Sequence, residues 1–582
     1  MIHVENLSYW YPQSKSPALK NISFRVEPGE LILIAGPSGS GKSSLLHCLK
    51  GLIPKLYGGR LEGKIEIDGE DISYLSVAEI AKRIGLVMQD PESQFCNLFV
   101  RDEVAFGVEN LKIDSMTCSQ RVIQALNAVG LNQFADRAVT EISGGEKQKV
   151  AIASVLAMGV PAMLLDEPTA NLDAKSGRDV LQFIGQLRQE GKTLVLVQHE
   201  LDEMIHVADK LLIMQDGRVI DYGPPRELLQ KFEYKLTSDH FVGLPQIAHA
   251  ALDTQRWFSF ESLPLSVAEF ASFAQVAPPG AMMEPVNHRD NLPEIPAVIV
   301  EAENIQFSYP NSKANAIKDI SLIVHAGEVV AILGKNGSGK STLARLMVGL
   351  LQPKKGTIKL GGRDVATLTR HEIHSLTGYV FQYPEQQFLT QSVAKEIAYG
   401  LEVQQRPPNE ISQIVDETIQ SLRLAGAENR HPFALSGGEK RRLSVATMLV
   451  LEPKLLILDE PTYGLDEGNL LNMIHFLFDQ LQKKGVTIVF ITHDLRLVAE
   501  YSQRVIVLYE GEKLYDGKPA ELFNHDRLMK QTELIPPPIS ELVQALREKG
   551  YALPAGTITL DQFSQAVKDL FADVATQPRG EG

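Results

Sequence analysis

Cysteine is scarce: Cys48, Cys96 and Cys118 are the three in 582 residues, all in the first half, and no two share a metal-ligand spacing. An odd, small count fits a reducing compartment with unpaired thiols and excludes a disulfide scaffold; each reads as a small buried hydrophobe. Long apolar runs are also missing. LILIA (31–35) and KLLIL (454–458) fall far short of the roughly 20 residues a spanning helix needs. The opening MIHVENLSYW has neither a basic n-region nor an apolar h-region, so no signal peptide is predicted. Basic excess is lacking too: a net charge of −15 and a pI near 5.5 argue against wrapping nucleic acid, which needs clustered Lys and Arg.

What is present is ordinary globular composition, 44% hydrophobic and 22% charged, in a chain too long for one core. Self-comparison divides it in two. GPSGSGKSS (36–44) matches GKNGSGKST (334–342) at offset 298 (334 − 36). QDPESQF (89–95) matches QYPEQQF (382–388), SGGEK (143–147) matches SGGEK (436–440), and Asp166 matches Asp459, each at offset 293 (382 − 89, 436 − 143, 459 − 166). LSVAEF (265–270) parallels ITLDQF (558–563), so each half is expected to end in a small helical appendage. Between them APPGAMMEPVNHRDNLPEIPA is Pro-rich and aperiodic, an extended linker by composition. The expected domains are therefore 1–230 and 298–525, with appendages 231–276 and 526–582 and a linker 277–297.

Within each half the grammar is α/β. Short apolar runs ending in Gly or a polar residue read as buried strands, and ligands gather at the carboxyl ends of such strands. Gly36, Pro37, Ser38, Gly39, Ser40, Gly41, Lys42, Ser43 and Ser44 lie between a predicted strand and a predicted helix. Gly334, Lys335, Asn336, Gly337, Ser338, Gly339, Lys340, Ser341 and Thr342 repeat that context. Both fit G-x-x-x-x-G-K-[ST], in which glycines let N–H groups converge on phosphate oxygens. Lys42 and Lys340 would neutralise the β- and γ-phosphates of a nucleotide, and Ser43 and Ser341 would offer a hydroxyl to Mg²⁺. Asp166 and Asp459 end strands and would orient Mg²⁺, while the adjacent Glu167 and Glu460 would polarise attacking water. His199 and His493, one residue past later strands, are expected to contact the γ-phosphate.

Together these motifs resemble the ATP-binding cassette ATPases over nearly the whole chain, as two cassettes of P-loop NTPase fold, each with a helical signature subdomain. The resemblance rests also on ISGGE (142–146), LSGGE (435–439), NLD (171–173) and GLD (464–466). It implies ATP hydrolysis, Gln89 and Gln382 sensing the γ-phosphate and Mg²⁺, and Tyr11 and Tyr309 stacking on adenine, with Tyr9 or Phe307 as competitors. It further implies head-to-tail pairing: Ser436, Gly437 and Gly438 would complete the first site, and Ser143, Gly144 and Gly145 the second. Ile142, Glu146 and Glu439 depart from the family's usual Leu, Gln and Gln without removing a catalytic group.

The P-acid-x-Gln-Phe segments and the appendages are similar to those of energy-coupling factor importers of vitamins and metal ions, with some likeness to thiamine-precursor and cobalt uptake ATPases. That resemblance implies membrane partners, a transmembrane coupling protein and a substrate-binding protein, touched by Gln94, Phe95, Gln387 and Phe388. It places the chain on the cytoplasmic face of the membrane. Two other readings stand beside it: a soluble double-cassette ATPase acting on ribosome or nucleic acid, which predicts a basic interdomain arm, and a sugar-importer double ATPase, which favours one degenerate site.

Overall fold

The computed structural model describes residues 1–170, 172–231, 244–274, 297–310, 314–461, 477–478, 481 and 483–576, without the side chains of 573–576. Asn171, the GLD triplet at 464–466 and the linker from 277 to 296 lie outside these residues. The chain divides into two compact units, the first covering 1–274 and the second following it.

In the first unit a six-stranded sheet runs Arg218–Gly223, Lys210–Gln215, Leu31–Ala35, Thr193–Val197, Ala162–Asp166, Ile84–Val87. The last five strands are mutually parallel, and Arg218–Gly223 is an antiparallel edge. Leu31–Ala35, Ala162–Asp166 and Thr193–Val197 are buried at every position. That explains their unbroken apolar sequence, since a parallel sheet is covered on both faces. Each fully buried Leu or Val contributes about 1.5–3 kcal/mol of transfer free energy. Register then sets chemistry: Asp166 pairs with Val197, so Glu167 and His199 emerge at one edge of the sheet.

A second, antiparallel sheet runs Leu19–Val26, Ile2–Trp10, Arg60–Ile67, Glu70–Asp71. Its alternating burial shows one face on the core and one in solvent. The second unit repeats both sheets: Thr377–Val380, Leu455–Asp459, Thr487–Ile491, Val329–Leu333, Arg504–Tyr509, Glu512–Gly517, and Ile317–His325, Val298–Phe307, Lys355–Leu360, Arg363–Asp364.

Beside each large sheet sits a helical layer. Helices Val100–Asn110, Ser115–Ala128 and Gly144–Ala157 pack together in the first unit, and Val393–Val403, Pro408–Ser421 and Gly437–Leu449 in the second. The second layer has its own apolar core around Val393, Ile397, Leu401, Ile419 and Leu443. Beyond the sheets lie short helices, Gln246–Thr254 and Val267–Phe273 in one unit, Pro538–Glu548 and Leu560–Thr576 in the other. Phe270 is fully buried there, its ring edge-on to Phe258 and Phe260. No helix among the described residues is long and apolar enough to cross a membrane.

The thiols depart from expectation at one position. Cys48 and Cys118 are buried, but Cys96 is exposed, because its segment is turned outward around Glu103. Burial pushes the Cys48 thiol up to about 12, so it stays protonated and inert.

Candidate functional site

The two phosphate loops join a central strand to the helices Lys42–Leu49 and Lys340–Met347. Glycine is compulsory at their first positions. A Cβ on Gly36 would stand 2.2 Å from the Met214 carbonyl oxygen, and one on Gly334 2.2 Å from that of Leu508. Both helices open on a left-handed glycine, Gly41 or Gly339, with no side-chain cap, so their first N–H groups remain for an anion.

Lysine fills each loop from within. Lys42 Nζ donates to the carbonyls of Gly36 (2.7 Å) and Pro37 (2.9 Å), and Lys340 Nζ to Gly334 (2.7 Å) and Lys335 (3.0 Å). The buried hydroxyls of Ser40 and Ser338 have no hydrogen-bond partner. Such a hydroxyl pays a desolvation cost that a phosphate oxygen would relieve.

Tyr11 and Tyr309 flank the loops, their hydroxyls 2.8 Å from Ser44 Oγ and 3.1 Å from Thr342 Oγ1. They are 41% and 38% exposed, whereas Tyr9 and Phe307 are at 0% and 7%. Of the four rings only the Tyr11 and Tyr309 pair is open to solvent.

At the strand ends the carboxylates gather. Ser43 hydrogen-bonds Asp166, and Ser341 Oγ donates to Asp459 Oδ1 at 3.1 Å. Burial raises the Asp166 pKa, with the Glu167 charge adding to it. Its Oδ1 is buried without a hydrogen-bond partner. A buried anionic oxygen beside a serine hydroxyl is the donor set a hard cation such as Mg²⁺ takes.

Glu167 and Glu460 follow with φ of 44° and 49°, a left-handed backbone costly for a non-glycine residue. Their N–H groups donate back to Val197 and Ile491. Gln89 Nε2 donates to Glu167 Oε2 at 2.8 Å, and His199 Nε2 lies 2.6 Å from Oε1. His493 Nε2 lies 3.0 Å from Glu460 Oε1. Burial pushes Glu460 up to about 8 despite the Lys340 charge. The structure therefore brings the phosphate loop, Asp, Glu and His of each half to one sheet edge. Here the imidazoles rest on the glutamates.

Ser143 and Ser436 cap the helices Gly144–Ala157 and Gly437–Leu449. Glu146 and Glu439, which sequence reading treated only as departures from Gln, complete reciprocal capping boxes with them. The S-x-x-E spacing was the available signal.

The P-acid-x-Gln-Phe segments look inward more than expected. Gln94 Oε1 accepts from the Met88 N–H at 3.1 Å. Gln387 Nε2 donates to the Ser444 carbonyl (2.7 Å) and Thr447 Oγ1 (2.5 Å), and Phe388 is buried. The acids are bound as well, Glu92 to Lys147 and Glu385 to Lys440 at 2.8 Å. Next in the chain, buried Glu103 accepts the N–H groups of Cys96 and Asn97, and Glu396 those of Leu389 and Thr390. These two acids were missed; they shape a loop on which Leu98 and Phe99, and Leu389, are exposed, and the helices that follow expose Phe106, and Tyr399 and Val403.

Comparison with known proteins follows the same lines. The ABC transporter family profile matches residues 19–170 and 317–463. An ABC transporter ATP-binding protein of Methanosarcina mazei is 36% identical over 585 residues, 98% of this chain and 97% of that one. One of Vibrio vulnificus is 35% identical over 94% of each chain. The archaeal ribosome recycling factor aABCE1, solved with the stalk protein aP1, shares the fold at 20% identity and TM-score 0.59, covering 90% of this chain and 92% of that one. With both halves matched and relatives aligned nearly end to end, the chain belongs to the ABC transporter family as an ATP-hydrolysing protein of two ATP-binding cassettes.

Proposed function

We propose that this ATPase is the energy-coupling subunit of a membrane transporter, an energy-coupling factor type importer of a vitamin or metal ion. It would work peripherally at the cytoplasmic face, with a transmembrane coupling protein and a substrate-binding membrane protein as partners. The observation that carries the reading is the duplicated link from nucleotide to surface. In each cassette the segment that begins at Gln89 or Gln382 is tied by its acid to the signature helix and runs into a Glu-capped loop with exposed apolar side chains. Those side chains, rather than Gln94 and Gln387, are the groups offered to a partner.

In the catalytic cycle ATP phosphates take the place of the loop carbonyls around Lys42 and Lys340. Mg²⁺, held by Ser43, Asp166 and Gln89 or by Ser341, Asp459 and Gln382, would neutralise charge on the β- and γ-phosphates. Gln89 and His199 release Glu167 from its resting bonds, and the freed carboxylates of Glu167 and Glu460 polarise water. Each ATP would be completed by the other cassette's signature, Ser436–Gly438 for the first site and Ser143–Gly145 for the second. Tyr11 and Tyr309 would stack on adenine.

Glu167→Gln with Glu460→Gln is expected to keep ATP bound and lower turnover by about 10²- to 10⁴-fold. Unchanged steady-state hydrolysis overturns the assigned roles. Purification in mild detergent is expected to bring membrane subunits with the chain, and recovery with ribosomes instead overturns the transport reading.

A further inference from the structure

The two metal-side carboxylates are equivalent in sequence but not in surroundings. Asp459 is 2% exposed and both its oxygens accept hydrogen bonds, Oδ1 from Ser341 Oγ at 3.1 Å and Oδ2 from the Tyr379 hydroxyl at 2.7 Å. Tyr379 lies on the strand Thr377–Val380, parallel to the strand that ends at Asp459. Arg345, from the phosphate-loop helix, faces the same hydroxyl.

The first cassette has neither group. Offset 293 puts Leu86 where Tyr379 stands (379 − 86), and offset 298 puts His47 where Arg345 stands (345 − 47). Leu86 cannot donate. His47 instead stacks on Tyr57, ring centroids 5.3 Å apart. Asp166 is left with Oδ1 unpartnered, although it too is buried.

From this we infer that Tyr379, braced by Arg345, is a positioning residue that fixes the plane of Asp459 for the divalent cation, and that the two nucleotide sites of this one chain differ in cation affinity. The inference rests on the assignment of Asp166 and Asp459 to the nucleotide's metal. A carboxylate anchored at both oxygens can turn neither about its Cβ–Cγ bond nor away from Ser341, so a cation finds its oxygen already aimed. Asp166 has Ser43 as its anchor and must be ordered by the cation itself, which subtracts from the binding free energy. Tyr379 acts through Asp459, which its hydroxyl holds.

Manganese binding to the full chain with a non-hydrolysable ATP analogue, followed by the loss of the free-ion electron paramagnetic resonance signal, tests this without turnover. The wild type is expected to show two classes of site about tenfold apart, the usual scale for removing a hydrogen-bonding partner of a metal ligand. Tyr379→Phe weakens the tighter class and merges the two. Leu86→Phe, which adds no donor, leaves both classes in place and controls for bulk at that strand position. Equal classes in the wild type, or two unchanged classes in Tyr379→Phe, overturn the inference. Absence of analogue binding in the presence of manganese would instead overturn the nucleotide-site assignment beneath it, so the two failures are distinct. A thermal melt of each variant separates loss of fold from loss of positioning.

Discussion

The signature helix is anchored in one way in the first cassette and in another in the second. Arg441 is fully buried, and its guanidinium donates to the carbonyls of Phe381 (2.7 Å), Gln382 (2.5 Å) and Glu460 (3.1 Å). One side chain thus joins the signature helix, the glutamine segment and the backbone of the catalytic glutamate. Offset 293 places Gln148 at the same point of the first cassette (441 − 148), 2% exposed, with an Nε2 that has no hydrogen-bond partner. What the two have in common is the exposed-side tie, Lys147 to Glu92 and Lys440 to Glu385. The difference teaches that the same motif order can carry two stiffnesses. Movement of the second signature helix displaces Gln382 and Glu460 through fixed bonds, while the first helix is joined through the periphery.

Replacing the guanidinium is the strongest way to break this contrast. Arg441→Gln, which makes the second cassette resemble the first, leaves three carbonyls short of a donor. At about 1–3 kcal/mol for each buried group left unsatisfied, the loss after local relaxation is about 3 kcal/mol. Gln148→Leu, nearly equal in volume, removes a donor that has no partner and is expected to stay within about 1 kcal/mol. Urea unfolding of both variants measures the pair. Equal losses would show that the three bonds at Arg441 contribute nothing net.

A second contrast sharpens with pH. Glu460 is faced by Lys340, Asp459, Arg441 and His493, and burial dominates, lifting its carboxyl from 4.5 to about 8 in the folded chain. A folded-state pKa above the unfolded one means that the native state binds more protons between those values. Its stability contribution is therefore full below about 4.5 and lost as pH rises towards about 8. In the nucleotide-free protein, Glu460→Gln removes that slope, so its melting temperature relative to wild type should climb from pH 5 to pH 8.5. A difference that stays level, or narrows, would mean that Glu460 is ionised throughout.

How much of this was legible beforehand depended on whether backbone or tertiary register dictates the residue. Gly36 and Gly334 announce the phosphate loop because a carbonyl 2.2 Å from any added Cβ admits nothing else. Leu31–Ala35 and Val329–Leu333 announce buried strands because both faces are covered. Tyr11 and Tyr309 could be separated from Tyr9 and Phe307 only by seeing which ring the sheet buries. Tyr379 and Arg441 stood in plain view as mismatches between the repeats. Nothing local says that a tyrosine in TGYVFQ reaches an aspartate 80 residues later, or that the second residue after SGGE points into a cluster of carbonyls. The inward bonds of the glutamines in the P-acid-x-Gln-Phe segments were out of reach for the same reason. A polar side chain in a short turn looks exposed until the helix that receives it is placed.

Those glutamines also supply the smallest test of the contrast between cassettes. Gln387 donates twice to the signature helix, at Ser444 and Thr447, while Gln94 accepts once, from Met88 in its own segment. Each net hydrogen bond contributes about 0.5–1.5 kcal/mol, and the Gln387 carbonyl oxygen is already buried without a partner, which offsets part of its gain. Gln387→Ala is therefore expected to cost about 1 kcal/mol, and Gln94→Ala about half that, since it loses one bond rather than two. The readout that separates an anchor from a partner contact is amide hydrogen exchange. Loss of the anchor at Gln387 should speed exchange along Gly437–Leu449, with no matching change in Gly144–Ala157 when Gln94 is removed. Were both substitutions to leave the two helices unchanged while abolishing capture of membrane subunits, the side chains would be partner contacts after all, and the inward bonds incidental.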